Sequence, residues 1–183
     1  MNRRLFFGLT AACALVAALS PVMAQQNRVS PMSVTGAVID GSRVTVWYSR
    51  PYTKDPTTGQ PRKIWGGLIP YGKVWRAGAN EATLMVTQKA LTIGGLNVPA
   101  GAYTLFVLPL EDGSAKLIVN KQIGQWGLQY DEKQDLGRVD LTKDAMDKQL
   151  DQFTMSVDRG PGGGVIKLMW ETTQYSVPFT VNK

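Results

Sequence analysis

Arg50, Arg62 and Arg76 fall in one stretch that also holds Trp65, Trp75, Asn80 and Glu81, spaced by Gly66, Gly67, Gly72 and Gly78. A guanidinium presents a planar fork of donors that matches carboxylate and phosphate oxygens. An indole offers a flat apolar wall on which a guanidinium or a sugar ring stacks. Glycine lets backbone approach closely or turn through positive φ. Together these parts describe a site for a small polar or anionic ligand, such as a saccharide or a carboxylate. The arginines would be donors, Trp65 and Trp75 walls, and Asn80 and Glu81 orienting groups. Trp126, in a later loop with Gly127 and Tyr130, is a further candidate wall.

The same residues also admit an architectural use. Arg76 and Glu81 lie five apart across a Gly-containing loop, a spacing that allows a semi-buried ion pair pinning that loop. Trp65 and Trp75 would then plug one end of a core, and the Trp126 loop would be satellite packing. On that reading the protein is an envelope structural or interaction protein with no small-molecule ligand.

Catalysis is less well supported. The chain has no His, and its one Cys is Cys13 in the leader described below. The remaining chain therefore lacks Ser-His-Asp and Cys-His arrangements, ordinary zinc sites and thiol redox chemistry. Glu81 is the one carboxylate in the Arg-Trp stretch. Glycoside hydrolysis needs a second carboxyl about 5–9 Å away, for which Glu171 and Asp112 are conceivable partners. A neighbouring Arg76 would lower the Glu81 pKa, against a general-acid role. A hydrolase using Glu81 thus ranks third. No cofactor is expected. Asp140, Asp144, Asp147 and Asp151 would form a solvated stripe along a helix, and a stripe does not converge on a cation. Asp131, Glu132 and Asp135 lack the Gly and distal Glu of a calcium loop. The Gly160-Pro161-Gly162-Gly163-Gly164 run has neither a helix behind it nor a Gly-Lys-Ser/Thr ending, so it reads as a hairpin loop rather than a phosphate cradle.

One motif is more specific than its parts. Trp75-Arg76-Ala77-Gly78-Ala79-Asn80-Glu81-Ala82-Thr83 has the form Trp-Arg-x-Gly-x-Asn-Glu-x-Thr. It is accompanied by Arg50-Pro51, Arg62, Trp65-Gly66, Leu68-Ile69-Pro70-Tyr71-Gly72 and Pro99-Ala100-Gly101-Ala102-Tyr103-Thr104-Leu105-Phe106. In this the chain resembles a bacterial family of exported domains of unknown function, number 2911, from about Val29 to the C-terminus. Lys54 to Gln60 looks longer than the family's usual link before Arg62. The resemblance implies an exported β-rich domain and supplies no activity.

The N-terminus predicts export on its own account. Arg3 and Arg4 precede an apolar run from Leu5 to Leu19, and Val22-Met23-Ala24 suits cleavage after Ala24. Residues 1–24 therefore read as a signal peptide and 25–183 as one domain, periplasmic or secreted, with no membrane span after cleavage. That domain would carry no cysteine, and at about 150 residues one hydrophobic core suffices without disulfides. The whole chain has net charge +6, and without Arg3 and Arg4 the remainder has +4. That is too weak to argue for nucleic acid. Residues 25–80 nonetheless hold eight basic residues against Asp40 and Asp55. A basic first third suits an anionic partner or envelope component.

The elements that would position these groups are antiparallel strands. Ser33–Ile39 and Ser42–Ser49 flank Asp40-Gly41, the pair favoured in a type I′ turn. Thr83–Gln88 is a further strand. Leu91–Ile93 and Leu96–Val98 flank Gly94-Gly95, and Ala102–Leu108 and Ala115–Asn120 make a third hairpin. Phe153–Val157, Val165–Glu171 and Gln174–Val181 complete nine or ten strands. Pro178 cannot donate to a ladder, which places the last strand at an edge or bulge. The expected fold is all-β, an antiparallel β-sandwich or jelly roll. Helix is confined to Thr142–Leu150, with Thr142 as cap and Asp144 in the first turn. Two long loops, Pro51–Arg62 and Gln122–Asp135, are the natural carriers of binding groups.

Overall fold

The computed structural model describes residues 28–183. The predicted signal peptide, with Cys13, lies outside the described residues. The strands are β1 (Met32–Ile39), β2 (Ser42–Ser49), β3 (Thr83–Thr87), β4 (Leu91–Ile93), β5 (Leu96–Val98), β6 (Gly101–Pro109), β7 (Ala115–Asn120), β8 (Asp135–Gly160) and β9 (Gly163–Val181). They form one antiparallel nine-stranded sheet in the order β1-β2-β3-β6-β7-β8-β9-β4-β5. The sheet does not close into a barrel, so the expectation of an all-β antiparallel domain holds. Among the described residues no helix is long and apolar enough to cross a membrane.

Local chemistry sets the hairpins. Asp40 and Gly41 both take positive φ, +48° and +73°, as a type I′ turn requires. β1 and β2 then pair without a break from Ile39–Ser42 to Met32–Ser49. The Gly94-Gly95 turn has φ of +52° and +90° and closes β4 on β5. The last strand, β9, is not at the edge expected from Pro178: it lies between β8 and β4, and Pro178 falls between Ser176, paired with β8, and Phe179, paired with β4. The Pro178 carbonyl accepts the Gly94 N–H at 3.0 Å, and a donor is not asked of it.

β8 folds the sheet over. Its first part, to Leu141, pairs with β7, and from Thr142 to Gly160 it pairs with β9. The strand therefore belongs to both walls of the molecule. Alternating residues from each wall fill the space between: Val44, Val46 and Tyr48 of β2, Leu105 and Val107 of β6, Leu117 and Val119 of β7, against Phe153 and Met155 of β8 and Ile166, Leu168 and Trp170 of β9. The Tyr48 ring meets Phe153 edge-on at 5.8 Å, and its hydroxyl donates to the Met155 carbonyl.

The helix expected at Thr142–Leu150 is corrected: this segment is strand within β8. Thr142, Lys143, Asp144 and Ala145 pair with Ser176, Tyr175, Gln174 and Thr173, and the register then shifts before Leu150 meets Glu171. Cap and propensity signals are worth about 1 kcal/mol, and a ladder partner overrides them. The acidic residues therefore lie along an extended, solvent-facing strand, not a helical stripe.

Candidate functional site

Residues 50–82 leave the sheet and return to it at fixed points. Tyr52 bridges to Gln152 of β8 and Trp75 to Val107 of β6, while Glu81 bridges to Trp126 in the loop between β7 and β8. Trp75 exchanges both backbone hydrogen bonds with Val107, at 2.8 and 2.7 Å, and its indole N–H donates to the Gly78 carbonyl at 3.0 Å. The motif's next residues turn sharply. Ala77 and Asn80 are left-handed, with φ of +50° and +60°. Gly78 is required by close approach, since a Cβ there would lie 2.8 Å from the Ser49 carbonyl oxygen.

These turns separate Arg76 from Glu81. Glu81 pairs instead with Arg28 at 2.6 Å, in a partly exposed bridge. The Arg76–Glu81 ion pair allowed by the sequence does not form. Burial pushes the Glu81 carboxyl up, but its own backbone N–H and the Arg28 guanidinium outweigh that and hold it below the usual value. A lowered pKa suits an ion-pair partner rather than a general acid. Arg76 has no carboxylate and no hydrogen-bond partner for its side chain among the described residues. Its Nε is fully buried and unpartnered, and burial pushes the guanidinium below the ordinary arginine value.

Arg76 faces a hollow of about 250 Å³. Arg62, Trp75, Asn80, Tyr52 and Trp170 are among its lining residues, and no aspartate or glutamate is. Arg62 donates Nη2 to the Tyr52 carbonyl, while its Nε is buried without a partner. Asn80 spans the rim, donating Nδ2 to the Ser30 carbonyl at 3.1 Å and to Ser49 Oγ at 3.2 Å. Asp55, outside the hollow's lining, feels the charge of Arg62, so of the two guanidiniums it is Arg76 that has no acidic neighbour among the described residues.

The other sequence candidates stand elsewhere. Arg50 fastens the loop to β8, donating Nε to the Phe153 carbonyl at 3.0 Å and Nη2 to Thr154 Oγ1 at 2.8 Å. Trp65 packs behind the hollow, edge-on to Trp75 at 6.0 Å and to Tyr175 at 5.2 Å. Glu81 lines a different, mostly apolar hollow with Met32, Trp47 and Leu84. Trp126 is 45% exposed and outside the Arg62–Arg76 hollow. The structure therefore gathers Arg62, Trp75, Arg76 and Asn80, and it leaves Arg50, Trp65, Glu81 and Trp126 out.

Sequence reasoning missed Tyr52 and Trp170. Trp170 stacks on Trp75 at 6.0 Å and 21°, and both indoles contact Phe153. It belongs to β9, far along the chain, and its apolar neighbours mark it only as core. Tyr52 had a faint local signal, because it follows Arg50-Pro51 directly.

A model of a protein family described as "Protein of unknown function (DUF2911)" matches residues 30–179. No curated protein and no solved structure matches the chain.

Proposed function

We propose a function for this chain, which belongs to the DUF2911 family of unknown function, from the chemistry of its Arg62–Arg76 hollow: it is a binding module for a small anionic ligand, a carboxylate or an acidic saccharide. One observation carries the reading. Two half-buried guanidiniums line a common hollow that holds no acidic side chain, and each has a buried Nε without a partner. Desolvating an uncompensated cation is costly. A bound oxyanion would supply the counter-charge that Arg76 lacks, with the Trp75–Trp170 stack as the wall beside it. The signal-like residues 1–24 favour a periplasmic or secreted site of action.

A thermal-shift screen against organic acids, neutral sugars and acidic sugars tests this. A ligand that binds only the folded state raises the melting point in proportion to its saturation. Acids are expected to stabilise the wild type, neutral sugars to do so weakly, and Arg62→Ala and Arg76→Ala to remove the increment. No stabilisation by any acid, or one untouched by both substitutions, overturns the proposal.

A second reading rests on a different surface. Ile123, Trp126 and Leu128 are 53%, 45% and 74% exposed on one loop. Large apolar side chains grouped at a surface favour docking to an envelope protein. Pull-down from envelope extract that is lost in Trp126→Ala with Leu128→Ser would support it. Capture unaffected by that double change would remove it.

A further inference from the structure

Arg76 faces a second hollow, of about 230 Å³, on its other side. Lys73, Val74, Gly127, Leu128 and Tyr130 line that side alone, and Leu68, Trp75 and Arg76 line both hollows. The second hollow also lacks an acidic lining residue. Lys73 is exposed and makes no salt bridge among the described residues.

Its far wall is built firmly. The Tyr130 ring packs on Phe106 at 4.9 Å, and its hydroxyl donates to Asp135 at 2.7 Å. Arg138 donates to both of those groups, at 2.9 Å to the Tyr130 hydroxyl and 3.0 Å to Asp135. The ridge between the hollows differs. Leu68 is 45% exposed, and no protein hydrogen bond among the described residues holds the Arg76 side chain. Arg62 thus lies on one side and Lys73 on the other, and where the hollows meet Arg76 is flanked by the apolar Leu68 and Trp75.

We infer that the two hollows are the halves of one binding groove, and that its ligand is an elongated dianion whose charged ends are joined by an apolar segment. One anionic group would meet Arg62 and Arg76. The other would meet Lys73, with Leu68 and Trp75 covering the link between them. This rests on the anion-binding reading and goes further, since one hollow alone would take a monoanion equally well.

The test is a calorimetric titration of the purified protein with α,ω-dicarboxylates from succinate to dodecanedioate, each beside the monocarboxylate of equal chain length. A second charge-assisted contact made within one molecule is expected to tighten binding about tenfold once the chain is long enough to cross the ridge. Lys73→Met is expected to bring that ratio back to about one. Circular dichroism checks that the variants fold. If monocarboxylates bind through Arg62 but no dicarboxylate gains, or the gain survives Lys73→Met, the two-lobed groove is wrong and the single-hollow reading stands. If no carboxylate of either kind binds, both fall.

Discussion

Glu81 takes Arg28 at 2.6 Å and leaves Arg76, its neighbour in the motif, without a carboxylate. The consequence for stability is opposite to that of a buried pair. Removing Arg76 leaves no buried acid behind. We expect Arg76→Met, which keeps an apolar stem in place, to hold the unliganded stability within about 1 kcal/mol of wild type. Glu81→Gln breaks only a partly exposed pair and should cost about 0–1 kcal/mol. Urea unfolding of both variants checks this. A loss of about 3–5 kcal/mol for Arg76→Met would mark a broken buried pair and refute the assignment.

Gly127 lies against Arg76. A Cβ at 127 would overlap the Arg76 Cδ and stand 2.7 Å from the Asn80 carbonyl oxygen. Gly127→Ala should therefore destabilise by about 1–3 kcal/mol. Arg76→Ala should relieve part of that loss, because it removes the overlapping atom. A double-mutant cycle in denaturant measures the coupling, and strict additivity would show that the two residues do not touch.

Trp170 is buried between Trp75 and Phe153. Trp170→Ala should cost about 3–5 kcal/mol, and Trp170→Phe much less. Because the stack also walls the hollow, the Ala variant at a temperature where it remains folded should bind acids more weakly. Thermal denaturation and a repeat of the acid screen test both parts.

Tyr130 gives a pH prediction. Burial, then the hydrogen bond and charge of Asp135, push its pKa up to about 12, with Arg138 opposing. The folded state thus holds the phenol proton more tightly than the unfolded chain, whose tyrosines ionise near 10. This contribution to stability is intact below pH 10 and is lost as pH rises toward 12. Tyr130→Phe should flatten the alkaline decline in stability and remove one late step from the tyrosinate absorbance titration. An unchanged titration curve would contradict it.

The hairpins were legible in the sequence because their signals are local. Asp40-Gly41 and Gly94-Gly95 determine φ within two residues, and β2, β4, β5 and β7 begin and end where the alternation says. Thr142–Leu150 was illegible for the converse reason. Its local cues suit a helix, while what decides it is pairing with residues about thirty positions later on β9. The site divides the same way. The Arg-Trp-Gly grouping flagged the right segment, and Arg62, Trp75, Arg76 and Asn80 do converge. The turns at Ala77 and Asn80 then send Glu81 to another face, and spacing alone gives no warning of that. Trp170 enters the wall only through tertiary packing.

β8 is shared by both walls, and this has a consequence for when the protein takes shape. A nascent chain ending before β9 has no partner for residues 142–160, so nothing can lie over Val46, Tyr48 and Leu105. The second wall should therefore form only once the last strand is available to the rest of the chain.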